Sequence, residues 1–203
     1  MKSKKIITLL AAATVTLTAA TGVAATQAEQ TQAASVKKSK YGFKKSFTFP
    51  TSWRGKWYST NNLTPSPMNI QKTSFDTPWT NEHVKAVKVG KVKGTNKYPW
   101  QMTKAWKLKN AGVFEKYTRV TTKKMNGEKW IVLSPVDQKS TKKGYAFTVK
   151  TELIDGKKEP VLFQSHPQEG KVTNQFFTSE ELAKKYATYE FKDMTYSKVN
   201  PRQ

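Results

Sequence analysis

Two Asx-Gly dipeptides constrain this chain more than any other feature. Asn126-Gly127 stands between the β-rich runs "YTRVTTKKM" and "EKWIVLSP", and Asp155-Gly156 between "YAFTVKTEL" and "KKEPVLFQS". Such a dipeptide between two strand-like runs is the strongest short-range signal of a two-residue hairpin. In "YAFTVKTEL", Tyr145, Phe147, Val149 and Leu153 fall on one side and Thr148, Lys150 and Glu152 on the other. That is the period-two pattern of a half-buried strand. Pro160 marks the entry or edge of the returning strand. Two hairpins in succession predict an antiparallel meander.

Earlier segments alternate as well. "VKAVKVGKVKG" and "WQMTKAWKL" read as strands, the second with Trp100, Met102, Trp106 and Leu108 on one face, and "MNIQKTSF" is a weaker one. Counted from "GKWYS", about seven or eight strands separated by turn residues predict a barrel or sandwich. One helix is expected late, in "FFTSEELAKKYATYEF", with Thr178 as cap, Glu181 completing a capping box, and Leu182, Ala183 and Tyr186 as the apolar stripe. A last strand, "TYEFKDMTYS", has Tyr189, Phe191 and Met194 to bury.

Lys2, Lys4 and Lys5 precede an apolar run from Ile6 to about Ala20 and then the small residues of "GVAATQAEQ". This predicts a secretory signal peptide over residues 1–28, with cleavage after Ala25 or Ala28. Residues 29–46, "EQTQAASVKKSKYGFKKS", read as a basic flexible linker that carries Lys37, Lys38, Lys40, Lys44 and Lys45. Residues 47–203 then make one domain, expected to be a monomer. With no cysteine, neither a disulfide nor a lipidated N-terminal Cys is available, which fits export to a Gram-positive exterior.

Charge limits the partners. Thirty-six basic residues against 14 acidic ones give +22, and +19 once the three leader lysines are removed. Such a field attracts polyanions. Only Arg54, Arg119 and Arg202 are arginines, whereas proteins that read nucleic-acid sequence rely on bidentate arginine contacts. The expected partners are therefore anionic wall polymers of the teichoic type, anionic glycans or a membrane surface, and no specific nucleic acid. Lysines that merely solvate the surface are the plain alternative.

Gly55-Lys56-Trp57-Tyr58 opens the first predicted strand, and with the late helix this order resembles the lipocalin and wider calycin pattern. The resemblance implies a closed antiparallel up-and-down barrel with one C-terminal α-helix, in which Gly55 admits the chain to the barrel bottom and Trp57 plugs it. It also implies a basic side chain over that tryptophan, a part for which Lys192 or Arg202 would have to serve. "FPTSWRGKWYS" is similar, too, to a segment of secreted proteins of lactobacilli, which implies a surface-associated family and no particular activity.

Catalytic chemistry finds little material. Cysteine nucleophiles are excluded, and His83 and His166 stand apart from any nucleophile elbow or paired zinc motif. Glu82 with His83, or His166 with Glu169, supplies two metal ligands at most where three or four are needed, so no metal and no cofactor is expected. The carboxylates lie in turns or among lysines, which lower carboxyl pKa values where a general acid needs a raised one. The chain thus reads as a non-enzymatic binding protein. Most of its 24 aromatic residues are core material. If the barrel mouth is open, Trp79, Tyr98, Trp100, Trp106 and Trp130 are the residues to line a pocket for a small apolar or glycan ligand. Two binding readings stay open: a surface module that uses its lysines, and a lipocalin-like carrier or sensor that uses an aromatic interior.

Overall fold

Both Asx-Gly turns form as predicted. Strands β6 (Tyr117–Met125) and β7 (Glu128–Pro135) pair antiparallel around Asn126 and Gly127, at φ 48° and 82°. Strands β8 (Tyr145–Ile154) and β9 (Lys157–Ser165) do so around Asp155 and Gly156, at φ 51° and 76°. Positive φ at both central positions gives a turn whose twist suits the flanking strands. The computed structural model describes residues 39–60, 67–77 and 82–198. The predicted signal peptide, linker residues 29–38 with Lys37 and Lys38, Trp79 and Arg202 lie outside the described residues.

The remaining strands are β1 (Phe43–Ser46), β2 (Gly55–Trp57), β3 (Met68–Ile70), β4 (Ser74–Asp76), β5 (His83–Val89) and β10 (Val172–Phe176). Among the described residues they make a ten-stranded, mostly antiparallel sheet in the order β10-β9-β8-β7-β6-β5-β4-β3-β2, with β1 on the far end of β5. The Phe43–Ser46 stretch, placed with the linker for its basic composition, is thus part of the sheet, and Phe43 is buried.

Two features depart from a closed up-and-down barrel. First, β5 and β6 run parallel, which requires a crossover. The crossover passes through a 3₁₀ turn at Pro99–Gln101, helix α1 (Lys104–Lys109) and helix α2 (Ala111–Phe114). Residues 100–108, expected as a strand, therefore hold a turn and a helix. The Thr103 hydroxyl accepts a hydrogen bond from the Trp106 amide at 3.2 Å. That contact caps α1, and Leu108 remains 67% exposed. Second, the two ends of the sheet do not pair as strands. Their backbones bridge at one residue pair among the described residues, where Tyr58 and Phe177 exchange both hydrogen bonds at 2.8 Å, beside Ser59 Oγ donating to Asn174 Oδ1 at 2.8 Å, and the sheet is not closed into a barrel.

The sheet buries both faces. Along β7, Ile131 and Leu133 enter one cluster with Phe49, Trp57, Phe75, Phe147 and Phe176, while Trp130 and Val132 enter a second with Phe163, Phe177, Phe191 and Met194. The second face is covered by helix α3 (Glu180–Lys185), through Ala183, and by the chain after it. Ser179, one residue beyond the expected Thr178, caps α3 by accepting from the Leu182 amide at 3.2 Å. Glu180 and Glu181 at its start and Lys184 and Lys185 at its end complement the helix dipole. The expected last strand does not form: residues 188–197 turn across the sheet, burying Phe191 and Met194, and touch it as a bridge of Tyr196 to Val172.

Candidate functional site

The first core cluster reaches solvent at one end, where Phe75, Val84, Leu133 and Phe147 extend from the core into the wall of a cavity of about 550 Å³. Phe114 of α2, Tyr117 of β6 and Val136 complete an apolar lining, and the crossover helices build one side of it. Glu115, Asp137 and Lys143 supply charge, and Thr118 and Ser134 supply hydroxyls. A mainly apolar concavity of this size with a few polar groups is the usual form of a small-molecule site.

Behind Ser134 lies a residue to which sequence reasoning gave no role. Arg119 is 6% exposed, donates from Nε to Ser134 Oγ at 3.2 Å and from Nη2 to the Lys139 carbonyl at 3.1 Å, and lies 4.7 Å over the Trp100 ring. Burial lowers its pKa from the usual guanidinium value. Tyr98 stacks on Trp100 with centroids 4.6 Å apart and planes 5° from parallel. The Arg119–Trp100–Tyr98 stack ties the crossover to β6. An isolated buried cation balanced by aromatic faces has no period or spacing that would reveal it in sequence.

Of the five aromatic residues expected to line a pocket, the four that are described do not converge on one cavity. Tyr98 and Trp100 belong to the stack. Trp106 packs on Phe114 at 5.5 Å, behind the cavity wall. Trp130 is 0% exposed, and its Nε1 donates to the Met125 carbonyl at 3.2 Å, so it is core. The motif residues hold structural places as well. Gly55 adopts φ 127°, Trp57 is buried with Nε1 donating to the Trp53 carbonyl at 2.7 Å, and Tyr58 forms the bridge to Phe177. Lys192 is exposed, and Trp57 shares the first core cluster with Trp53 and Phe49.

Charge is unevenly spread. Residues 39–116 carry 14 lysines and Arg54 against Asp76, Glu82 and Glu115, a net of +12, whereas residues 117–198 carry 15 basic and 10 acidic residues, a net of +5. Lys150, Lys184 and Lys185, all in the second group, make ion pairs with carboxylates. In the first group like charges face each other. Lys45 stands opposite Lys88 across the β1–β5 pair, and the Lys88 pKa is lowered by burial and then by the charges of Lys45 and Lys129. Lys44 lines a second cavity, of about 350 Å³, with Lys91, Lys93, Asn96 and Tyr98. Lys40 lies 5.0 Å over the Tyr41 ring.

One carboxylate departs from the expectation that lysines hold such groups low. Glu128, Glu152 and Asp193 gather around Lys150, which bonds Glu128 at 3.1 Å and also Asp193. Burial, reinforced by the Asp193 charge, pushes Glu152 up to about 7, and its Oε1 is buried without a partner. None of these four residues lines either cavity, and no group of three or more His, Cys, Asp or Glu side chains among the described residues is arranged to hold a metal ion. His83 instead meets Asp76 at 2.8 Å on the surface.

Glu152 predicts a pH dependence. A carboxyl with a raised folded pKa binds its proton more tightly folded than unfolded, so its contribution to stability falls as pH rises from about 4.5 to about 7. The groups that face it are Lys150, Asp193 and Glu128, with Glu159 opposite in the β8–β9 register. After allowance for solvent screening, Glu152→Gln is expected to gain about 1 kcal/mol over the parent between about pH 4.5 and pH 8. Urea titrations across that range test it; a flat difference would mean that the Glu152 proton is not coupled to folding.

No family model, curated protein or solved structure matches the chain.

Proposed function

We propose that this is a secreted, non-enzymatic binding protein held at the cell surface by attraction of its basic half to anionic wall polymers or membrane. The supporting observation is the net +12 of residues 39–116, where Lys45 opposes Lys88 across β1 and β5. An anion laid along that edge relieves the repulsion and releases counterions, so affinity should fall steeply with salt. Purified exported protein is expected to bind intact walls at low ionic strength, to lose about tenfold or more by about 0.2 M salt, and to lose binding to walls stripped of teichoic polymers. Binding indifferent to salt and stripping would sink the proposal.

The cavity of about 550 Å³ favours a second reading, a carrier or sensor of a small apolar ligand, with walls supplied by Phe75, Phe114 and Phe147 in place of the expected tryptophans. Uptake of a neutral apolar fluorophore in the same preparations, unchanged across the salt series, would support it. Absence of uptake would remove it.

A further inference from the structure

The cleft beside β1 narrows the polyanion reading to a place and a chemistry. Lys44 leaves β1 beside the loop that follows β5, and Lys91 and Lys93 from that loop line the same space as Lys44, Asn96 and Tyr98. No carboxylate lines it. Lys91 Nζ donates to Asn96 Oδ1 at 2.7 Å. The loop's own contact thus orients an ammonium, and the Asn96 amide nitrogen is the donor left over. The loop is held by Val92 N donating to Lys97 O at 2.8 Å and Thr95 N to Val92 O at 3.1 Å. Lys44 is positioned by its own stem. A Cβ at Gly90 would lie 2.6 Å from Lys44 Cε and 2.7 Å from its Cγ, so the aliphatic chain runs directly across the glycine.

We propose that this cleft is a phosphate site, in which Lys44, Lys91 and Lys93 grip one phosphodiester of an anionic polymer. The inference rests on the polyanion reading above. Three compact point charges and an amide donor, with no acidic group between them, suit an anion whose acceptor oxygens point in several directions. A carboxylate offers two oxygens in one plane, whereas a phosphodiester adds to its two charged oxygens two ester oxygens that a tetrahedral phosphorus sets out of their plane. At about 350 Å³ the cleft has room for a phosphate and the polymer units that flank it.

The test uses the exported protein and labelled inorganic polyphosphate, read by fluorescence anisotropy at about 0.1 M salt. Replacement of Lys44, Lys91 and Lys93 by Gln is expected to weaken binding about thirtyfold. The same loss of charge at Lys157, Lys158 and Lys171 should weaken it only about threefold, through the general field. Gly90→Ala is the sharper probe, because it displaces the flexible Lys44 stem without changing net charge, and about threefold weaker binding is expected. Near-ultraviolet circular dichroism and urea midpoints establish that each variant is folded; all three cleft lysines are exposed.

Equal losses in the two triple variants would overturn the cleft and leave a diffuse polyanion field standing. Polyglutamate bound as tightly as polyphosphate would overturn the phosphate chemistry. Phosphatidylglycerol vesicles bound more tightly than polyphosphate through the same three lysines would overturn the polymer as its source. Failure of the parent to bind any of these, or walls, would remove both the cleft and the reading it rests on.

Discussion

Trp130→Ala is expected to lower folding stability by about 4 kcal/mol. The indole is fully buried on the second face of β7, among Val132, Ala146, Val161, Phe163 and Phe177. An aromatic side chain of this size buries about 200 Å² of surface, and at roughly 25 cal/mol per Å² its transfer alone is worth about 5 kcal/mol. Two further costs act. The cavity cannot collapse freely, because the walls are strands held in register by β6 and β8. The Met125 carbonyl also loses the Nε1 donor that lies 3.2 Å away, and an unsatisfied buried acceptor is costly. Repacking by Met125 recovers part of the loss, and the figure stays near the middle of the range for buried aromatic truncations. Against a total of about 5–15 kcal/mol for a domain, this is a large fraction. Urea denaturation is expected to show a much lower midpoint with little change in slope. A loss below about 1 kcal/mol would mean that α3 and residues 188–197 do not seal that face.

The same residue shows where sequence reading stops. Alternation put Trp130 on a strand, and it is on one, but alternation cannot tell a face that lines a ligand pocket from a face sealed by helix and coil. The two hairpins were legible because Asn126-Gly127 and Asp155-Gly156 fix their turns with local chemistry. The late helix was legible for the same reason, offset by one residue because Ser179 competes with Thr178 for the cap. What failed depended on distant partners. Residues 100–108 alternate as a strand would, yet Pro99 and the Thr103 cap turn them into a 3₁₀ turn and helix that carry the chain across to a parallel neighbour. Phe43–Ser46 reads as a basic arm because three of its four residues face solvent. Barrel closure is decided by whether the first strand finds the last, and Tyr58 with Phe177 is a single pair. For the candidate site, lysine excess supplied the expectation of an anionic partner, and Lys44, one of the lysines named for it, lines a cleft. The loop that brings Lys91 and Lys93 beside it had no sequence signal other than more lysine. A pocket was expected only behind an open barrel mouth lined by Trp79, Tyr98, Trp100, Trp106 and Trp130, and the walls of the apolar cavity come instead from β4, β5, β6, β7, β8 and α2 together.

Gly144→Ala should be costly for a different reason, with an expected loss of about 3 kcal/mol. Gly144 precedes β8, its amide donating to the Thr141 carbonyl at 2.9 Å, and it sits beside the Leu133 end of β7. A Cβ there would lie 2.1 Å from the Leu133 carbonyl oxygen and 3.0 Å from Ser134 Cβ. The oxygen belongs to a paired strand and cannot rotate away, so the two strands must part where Leu133 faces Tyr145. Gly156 supplies the comparison. Its added Cβ meets nothing within 4 Å, but its φ is 76°. Alanine there incurs only the left-handed backbone strain, about 1 kcal/mol. Gly144→Ala should therefore lose more stability than Gly156→Ala in the same urea titration, and the opposite order would contradict the close approach of β7 and β8. Because Leu133, Ser134, Gly144 and Tyr145 all line the apolar cavity, parting the strands also reshapes its mouth. Gly144→Ala should then alter uptake of an apolar fluorophore if the cavity is a ligand site, while polyphosphate binding at the lysine cleft, which shares no lining residue with it, should be unchanged.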